Sequence, residues 1–134
     1  MISMGLVGLG AVISILFGIR YFATREFMAY HAVVSGKQWA EIERGMQTAI
    51  LGMLRVCAAG FVTYGVLLLW LLLPLKRGEA WAAWAILTSA LTMLAPILWV
   101  TIWLRRFEPK AKTPVVPSAV VLALVLAGAG LAFA

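Results

Sequence analysis

Residues 56–75 read VCAAGFVTYGVLLLWLLLPL, with no charged or amide side chain in the run. A helix rising 1.5 Å per residue needs about 20 residues to cross roughly 30 Å of hydrocarbon. This stretch meets that length, and three others share its character: 2–19, 80–104 and 115–134. The first is slightly short, but Tyr21 and Phe22 extend it and Arg20 can snorkel from its end. The spans are therefore predicted at about 2–22, 47–75, 80–104 and 115–134, in one domain. The fold class is all-α, an integral membrane four-helix bundle.

Composition agrees. The chain is 64% hydrophobic and 12% charged, and has neither Asp nor Asn. A soluble domain is about half apolar and about a quarter charged. Disorder is excluded by the same abundance of residues that drive burial. The net charge of +6 would suggest nucleic acid in a soluble protein. Here the basic residues sit at the edges of apolar runs, where orientation signals and lipid-phosphate contacts lie. Nucleic acid is not an expected partner. The single cysteine, Cys57, forms no internal disulfide and no zinc or CxxC pattern. No basic residue precedes the first apolar run, so it reads as a retained span rather than a cleaved signal peptide.

The segment from Arg20 to Arg55 is the exception, holding eight of the sixteen Lys, Arg and Glu residues. It contains no proline, and only Ser35-Gly36 interrupts its helical character. Helix one is expected to run on to about Val34 and helix two to start near Lys37. The two would then extend from the bundle as an antiparallel hairpin. Arg20, Arg25, Lys37, Arg44, Arg105, Arg106, Lys110 and Lys112 fall on one face, against Lys76 and Arg77 on the other. By the positive-inside rule the hairpin is cytoplasmic and both termini lie outside, in a bacterial inner membrane. Trp70, Trp81 and Trp84 mark the outer interface, and Trp39, Trp99 and Trp103 the inner one.

Two small-residue stripes, Gly10-Ser14-Gly18 and Ala119-Ala123-Ala127, allow close helix approach. Packing within the chain and a homo-oligomer interface are both open readings. No acidic residue lies within the core of a span, which disfavours a proton-coupled exporter. The hairpin is expected to set Glu26 beside Gln47, Tyr30 and His31 beside Glu43, and Arg20 beside Met53, near Arg55. These residues form the candidate site. His31, Glu43 and Glu26 are the acid–base candidates, and Arg20, Tyr30, Gln47 and Arg55 the binding candidates. The alternative is that they simply brace the hairpin with ion pairs. One histidine and two glutamates match no metal-ligand spacing, so no metal and no cofactor is expected.

The run Arg20-Tyr21, then Glu26-Phe27-Met28-Ala29-Tyr30-His31, resembles small uncharacterised bacterial four-helix membrane proteins. That likeness implies a fold and no activity. Glu43-Arg44 and Gln47 are similar to the start of the helix-two motif of the membrane-associated eicosanoid and glutathione metabolism family. The likeness implies four helices, a cytoplasmic first loop and a trimer. Leu51 and Leu54 stand where that family has Asn and Glu, so its glutathione-binding residues are missing. Three functions remain: an accessory or scaffold subunit, a small membrane enzyme acting on a lipid-like or conjugated substrate, and a lipid-binding module. The partners expected are membrane lipids and either further copies of the chain or a larger membrane complex.

Overall fold

A computed structural model describes residues 1–133. Four helical stretches are long and apolar enough to cross a membrane: Ile2–Ala23, Arg44–Lys76, Ala80–Phe107 and Val115–Phe133. The first is α1 (Ile2–Ala23) and the second α3 (Arg44–Lys76). The third is α4 (Ala80–Ser89) and α5 (Ala95–Phe107), joined by a π-helical turn over Ala90–Leu94. The fourth is α6 (Val115–Gly130), finished by a 3-10 turn at Leu131–Phe133. The expected fourth span also included Ala134, which lies outside the described residues. The π turn has a local cause. Pro96 has no N–H to give to the preceding turn, and a wider turn absorbs the mismatch.

The helices form a ring in which α1 packs against α3 and α6, α3 against α4, and α4 and α5 against α6. Val7 and Ala11 of α1, Leu68 of α3, Ile86 of α4 and Val125 of α6 fill the interior. Glycines set the spacing. A Cβ added at Gly65 would stand 2.7 Å from the Ala11 carbonyl oxygen, and one at Gly18 2.8 Å from that of Ala58. At Gly10 and Gly128 the intruders are Val125 Cγ2 and Val7 Cγ2, at 2.6 and 2.7 Å. Thus α1 meets both neighbours through reciprocal notches, each glycine receiving a branched side chain from across the seam. The Gly10-Ser14-Gly18 stripe is buried and serves packing within the chain. Ala123 and Ala127 face outward.

The connector departs from expectation. Helix one does not continue to Val34: it ends at Ala23, with Thr24 extended. A separate α2 spans only Ala29–Ser35, and Gly36 closes it at φ 67°. A 3-10 turn at Trp39–Glu41 then leads to α3, which starts at Arg44 rather than near Lys37. The sequence lacks a proline here, but two other features break the helix. The Thr24 hydroxyl donates to the Glu26 carbonyl at 2.7 Å, a local bond that competes with helix continuation. Phe27 is buried, its ring 5.0 Å from Trp39 and 6.1 Å from His31, centroid to centroid. Folding the connector onto itself buries an aromatic ring that a straight extension would leave in water.

Candidate functional site

The break in the connector changes the register. Phe17 stacks near Phe61, with centroids 6.1 Å apart, and Tyr21 lies 5.9 Å from the same ring. That pairing sets Arg20 level with Ala58 rather than Met53. Arg55 lies about one turn along α3 from that level. Glu26, Glu43 and Arg55 are exposed and line neither of the cavities described next. The Gln47 amide donates to the Trp39 carbonyl at 2.8 Å and braces the 3-10 turn. His31 accepts the Met28 N–H at Nδ1, 3.3 Å away, and lines a separate apolar groove with Phe27, Ile50 and Cys57. Burial lowers its pKa below the ordinary histidine value. Among the described residues the one salt bridge is Arg77–Glu79, at 3.8 Å, and no three His, Cys, Asp or Glu side chains gather.

Two of the candidates do share a cavity, with partners that come from elsewhere. Arg20 and Tyr30 line a space of about 570 Å³ together with Tyr21, Lys110 and Lys112. Its apolar wall includes Phe17, Val33 and Pro117. It contains three cations and two phenols, with no carboxylate and no imidazole. Like charges gather here without a counterion, an arrangement that favours an anion.

The 108–114 loop explains how two lysines reach this cavity. Ala111 and Thr113 are buried, while Lys110 and Lys112, which alternate with them, are exposed. The Thr113 hydroxyl donates to the Thr101 carbonyl on α5 at 2.9 Å, tying the loop down. The Glu108 carboxylate accepts the Lys110 backbone N–H at 3.0 Å and steadies the start of the ledge. Alternation along this short segment then directs both lysines to one side.

The phenols supply hydrogen bonding. The Tyr21 and Tyr30 hydroxyls lie 3.0 Å apart, so one proton bridges them and the other remains free to donate. Burial and the adjacent Tyr21 push the Tyr30 hydroxyl above the usual phenol range, so it keeps its proton.

A second, narrower space adjoins the first. It measures about 40 Å³ and shares Phe17, Tyr21 and Pro114 with the larger cavity. From there it runs between α1, α3, α5 and α6, past Phe61, Leu94 and Val121.

The sequence placed Arg20 and Tyr30 in the candidate site but left Lys110 and Lys112 outside it, among the basic residues read as orientation signals and lipid-phosphate contacts. The missed signal was the alternation Lys-Ala-Lys-Thr at 110–113, in which a small and a hydroxyl residue alternate with the two cations. No family model, curated protein or solved structure matches the chain.

Proposed function

We propose that this is a multi-pass membrane protein that binds the anionic head of a membrane amphiphile without chemically transforming it. Its basic end faces the cytoplasm of a bacterial cell and both termini lie outside. The observation that carries the reading is the convergence of Arg20, Lys110 and Lys112 on one cavity that has two phenols and no acidic side chain. Lys and Arg near an anionic surface contribute about 1 kcal/mol each. Three acting together give roughly a hundredfold preference for an anionic over a zwitterionic head, at tenfold per ~1.4 kcal/mol.

The enzymatic alternative needs Glu26, His31 and Glu43 beside the cations, and these groups stand outside the cavity. A general acid or base must come within hydrogen-bond reach of its substrate. The scaffold alternative has no comparable convergence of side chains behind it.

The test is native mass spectrometry of the protein purified in mild detergent. The unmodified chain is expected to retain phosphatidylglycerol in preference to phosphatidylcholine. The triple variant Arg20→Ala, Lys110→Ala, Lys112→Ala is expected to lose that preference. Equal retention of both lipids by the unmodified chain, or an unchanged preference in the variant, overturns the reading.

A further inference from the structure

Charge matching narrows the head group. Three cations line the larger cavity and no carboxylate does. Glu108, on the same loop as the two lysines, commits one oxygen to the Lys110 backbone N–H, and among the described residues it pairs with no cation. A phosphodiester head such as phosphatidylglycerol carries a single negative charge and leaves two of the three cations uncompensated. A phosphate monoester carries about 1.5 to 2 negative charges at neutral pH. A diphosphate ester adds one more on its inner phosphate, about 2.5 to 3 in all. Of these heads, only the diphosphate balances three cations.

The placement of the cations agrees. Arg20 stands on α1, next to Tyr21 and one turn from Phe17, while Lys110 and Lys112 stand together on the 108–114 loop. Two phosphates in tandem let each wall hold its own. Size permits this, since about 570 Å³ lies within the range of small-molecule sites, roughly 300–1,000 Å³. The adjoining space of about 40 Å³ is nearer to one water molecule, about 30 Å³, and takes no hydrocarbon chain. Val33 and Pro117 line the larger cavity and are themselves exposed. Apolar surface therefore continues from the cavity to the outside of the bundle, where a chain meets the bilayer.

We infer that the site takes a lipid diphosphate, two phosphates in tandem on a hydrocarbon chain. The inference rests on the head-group reading above and names the head. Lys110 and Lys112 hold the terminal phosphate as compact point charges. The planar fork of Arg20 and the free proton of the Tyr21–Tyr30 pair hold the inner, chain-bearing phosphate. The chain leaves along Val33 and Pro117.

The test is isothermal titration calorimetry of the full-length protein in mild detergent, at fixed salt and neutral pH. Farnesyl diphosphate, farnesyl phosphate, farnesol and inorganic pyrophosphate are the probes, so that head and chain vary separately. Farnesyl diphosphate is expected to bind about fivefold more tightly than farnesyl phosphate, the contribution of one cation, and roughly a hundredfold more tightly than farnesol. Pyrophosphate should bind more weakly than farnesyl diphosphate for want of the chain. The double variant Lys110→Ala, Lys112→Ala should bring farnesyl diphosphate down to the level of farnesyl phosphate, whereas Arg20→Ala should weaken both by about fivefold. Lys37→Ala with Arg44→Ala removes the same charge outside the cavity and should leave the ranking intact.

Equal affinity for the two farnesyl phosphates, with phosphatidylglycerol still preferred over phosphatidylcholine, overturns the inference and leaves the head-group reading standing. Loss of both preferences overturns both. Pyrophosphate binding as tight as that of farnesyl diphosphate also overturns both, since the ligand would then come from water rather than from the membrane. Cardiolipin, which carries two phosphates on separate glycerol positions, is the competing occupant. Its displacement of farnesyl diphosphate at equal concentration overturns the inference. So does an effect of the Lys37 and Arg44 variant equal to that of the lysine pair, because the cations would then act only as diffuse surface charge.

Discussion

The two ends of the α1–α6 seam are built differently. At the end near the N-terminus, Gly10 and Gly128 leave no room for a Cβ, and Val125 and Val7 fill the notches. The Ser3 hydroxyl also donates to the Gly128 carbonyl across the seam, at 2.6 Å. Two to three turns further along α1 the same helices part around Phe17, Tyr21, Pro114 and Ser118, and a cavity begins. Small residues draw the helices together at one end. Rings and prolines hold them apart at the other. The site is therefore a product of packing: the closed end supplies rigidity, and the open end supplies volume beside the cations.

The sharpest way to break this contrast is to fill a notch. Gly128→Leu places a side chain where the Cβ alone would meet Val7 Cγ2 at 2.7 Å and the Ser3 carbonyl oxygen at 2.9 Å. The backbone contact cannot swing aside, so the cost is expected at the upper end of overpacking, about 3 kcal/mol or more. Thermal unfolding in detergent should show it as the largest loss of any single substitution named here. Gly5→Ala is the control, since nothing lies within 4 Å of a Cβ there. It should change stability by less than about 1 kcal/mol. Equal effects of the two variants would mean that the seam is not closely packed.

Next in size is the connector. Phe27→Ala removes the ring that Trp39 and His31 pack against. A peripheral cluster relaxes more readily than a core, so the loss is expected at about 2 kcal/mol, below the core range for Phe→Ala. Hydrogen exchange should localise the effect to residues 24–43 and leave the four long helices protected. Loss of protection throughout would make the connector part of the cooperative bundle.

These two regions also differ in how far they could be read from the sequence. The four long helices are legible because an apolar run of spanning length has few other uses. The Gly10-Ser14-Gly18 stripe announced a close seam, though only the structure assigns it to α3 and α6. The connector was not legible, because its helix ends at a threonine bond and a buried ring rather than at a proline. That misreading moved the register, and with it the expected neighbours of Arg20. Lys110 and Lys112 join Arg20 through a bond between residues 101 and 113, which no local pattern reveals.

That bond gives a smaller, more specific prediction. Thr113→Val keeps the shape of a buried side chain but removes the donor to the Thr101 carbonyl. The expected loss is about 1 kcal/mol of stability. Its more useful readout is binding: an untied loop holds Lys110 and Lys112 less firmly, so the preference for anionic lipid should fall several-fold. Thr113→Ser keeps the hydroxyl and should restore it. A stability loss with unchanged lipid preference would mean that the lysines do not depend on this anchor.

The smallest effect expected is a pH dependence of α2. Burial lowers the His31 pKa in the folded chain, and its unprotonated Nδ1 accepts the Met28 N–H. The unfolded connector takes up its proton near pH 6.5, the ordinary value. The folded connector resists protonation until lower pH. Docking of α2 should therefore be at full strength above pH 6.5 and weaken as pH falls below it, levelling off once pH passes under the folded value. Protonation also removes the acceptor that holds Met28 at the start of the helix. An NMR titration of the His31 ring should give a midpoint below 6.5, and His31→Gln should make the protection of α2 independent of pH between 5 and 7. A midpoint at or above 6.5 would mean that the imidazole is solvated and that Phe27 alone holds the connector in place.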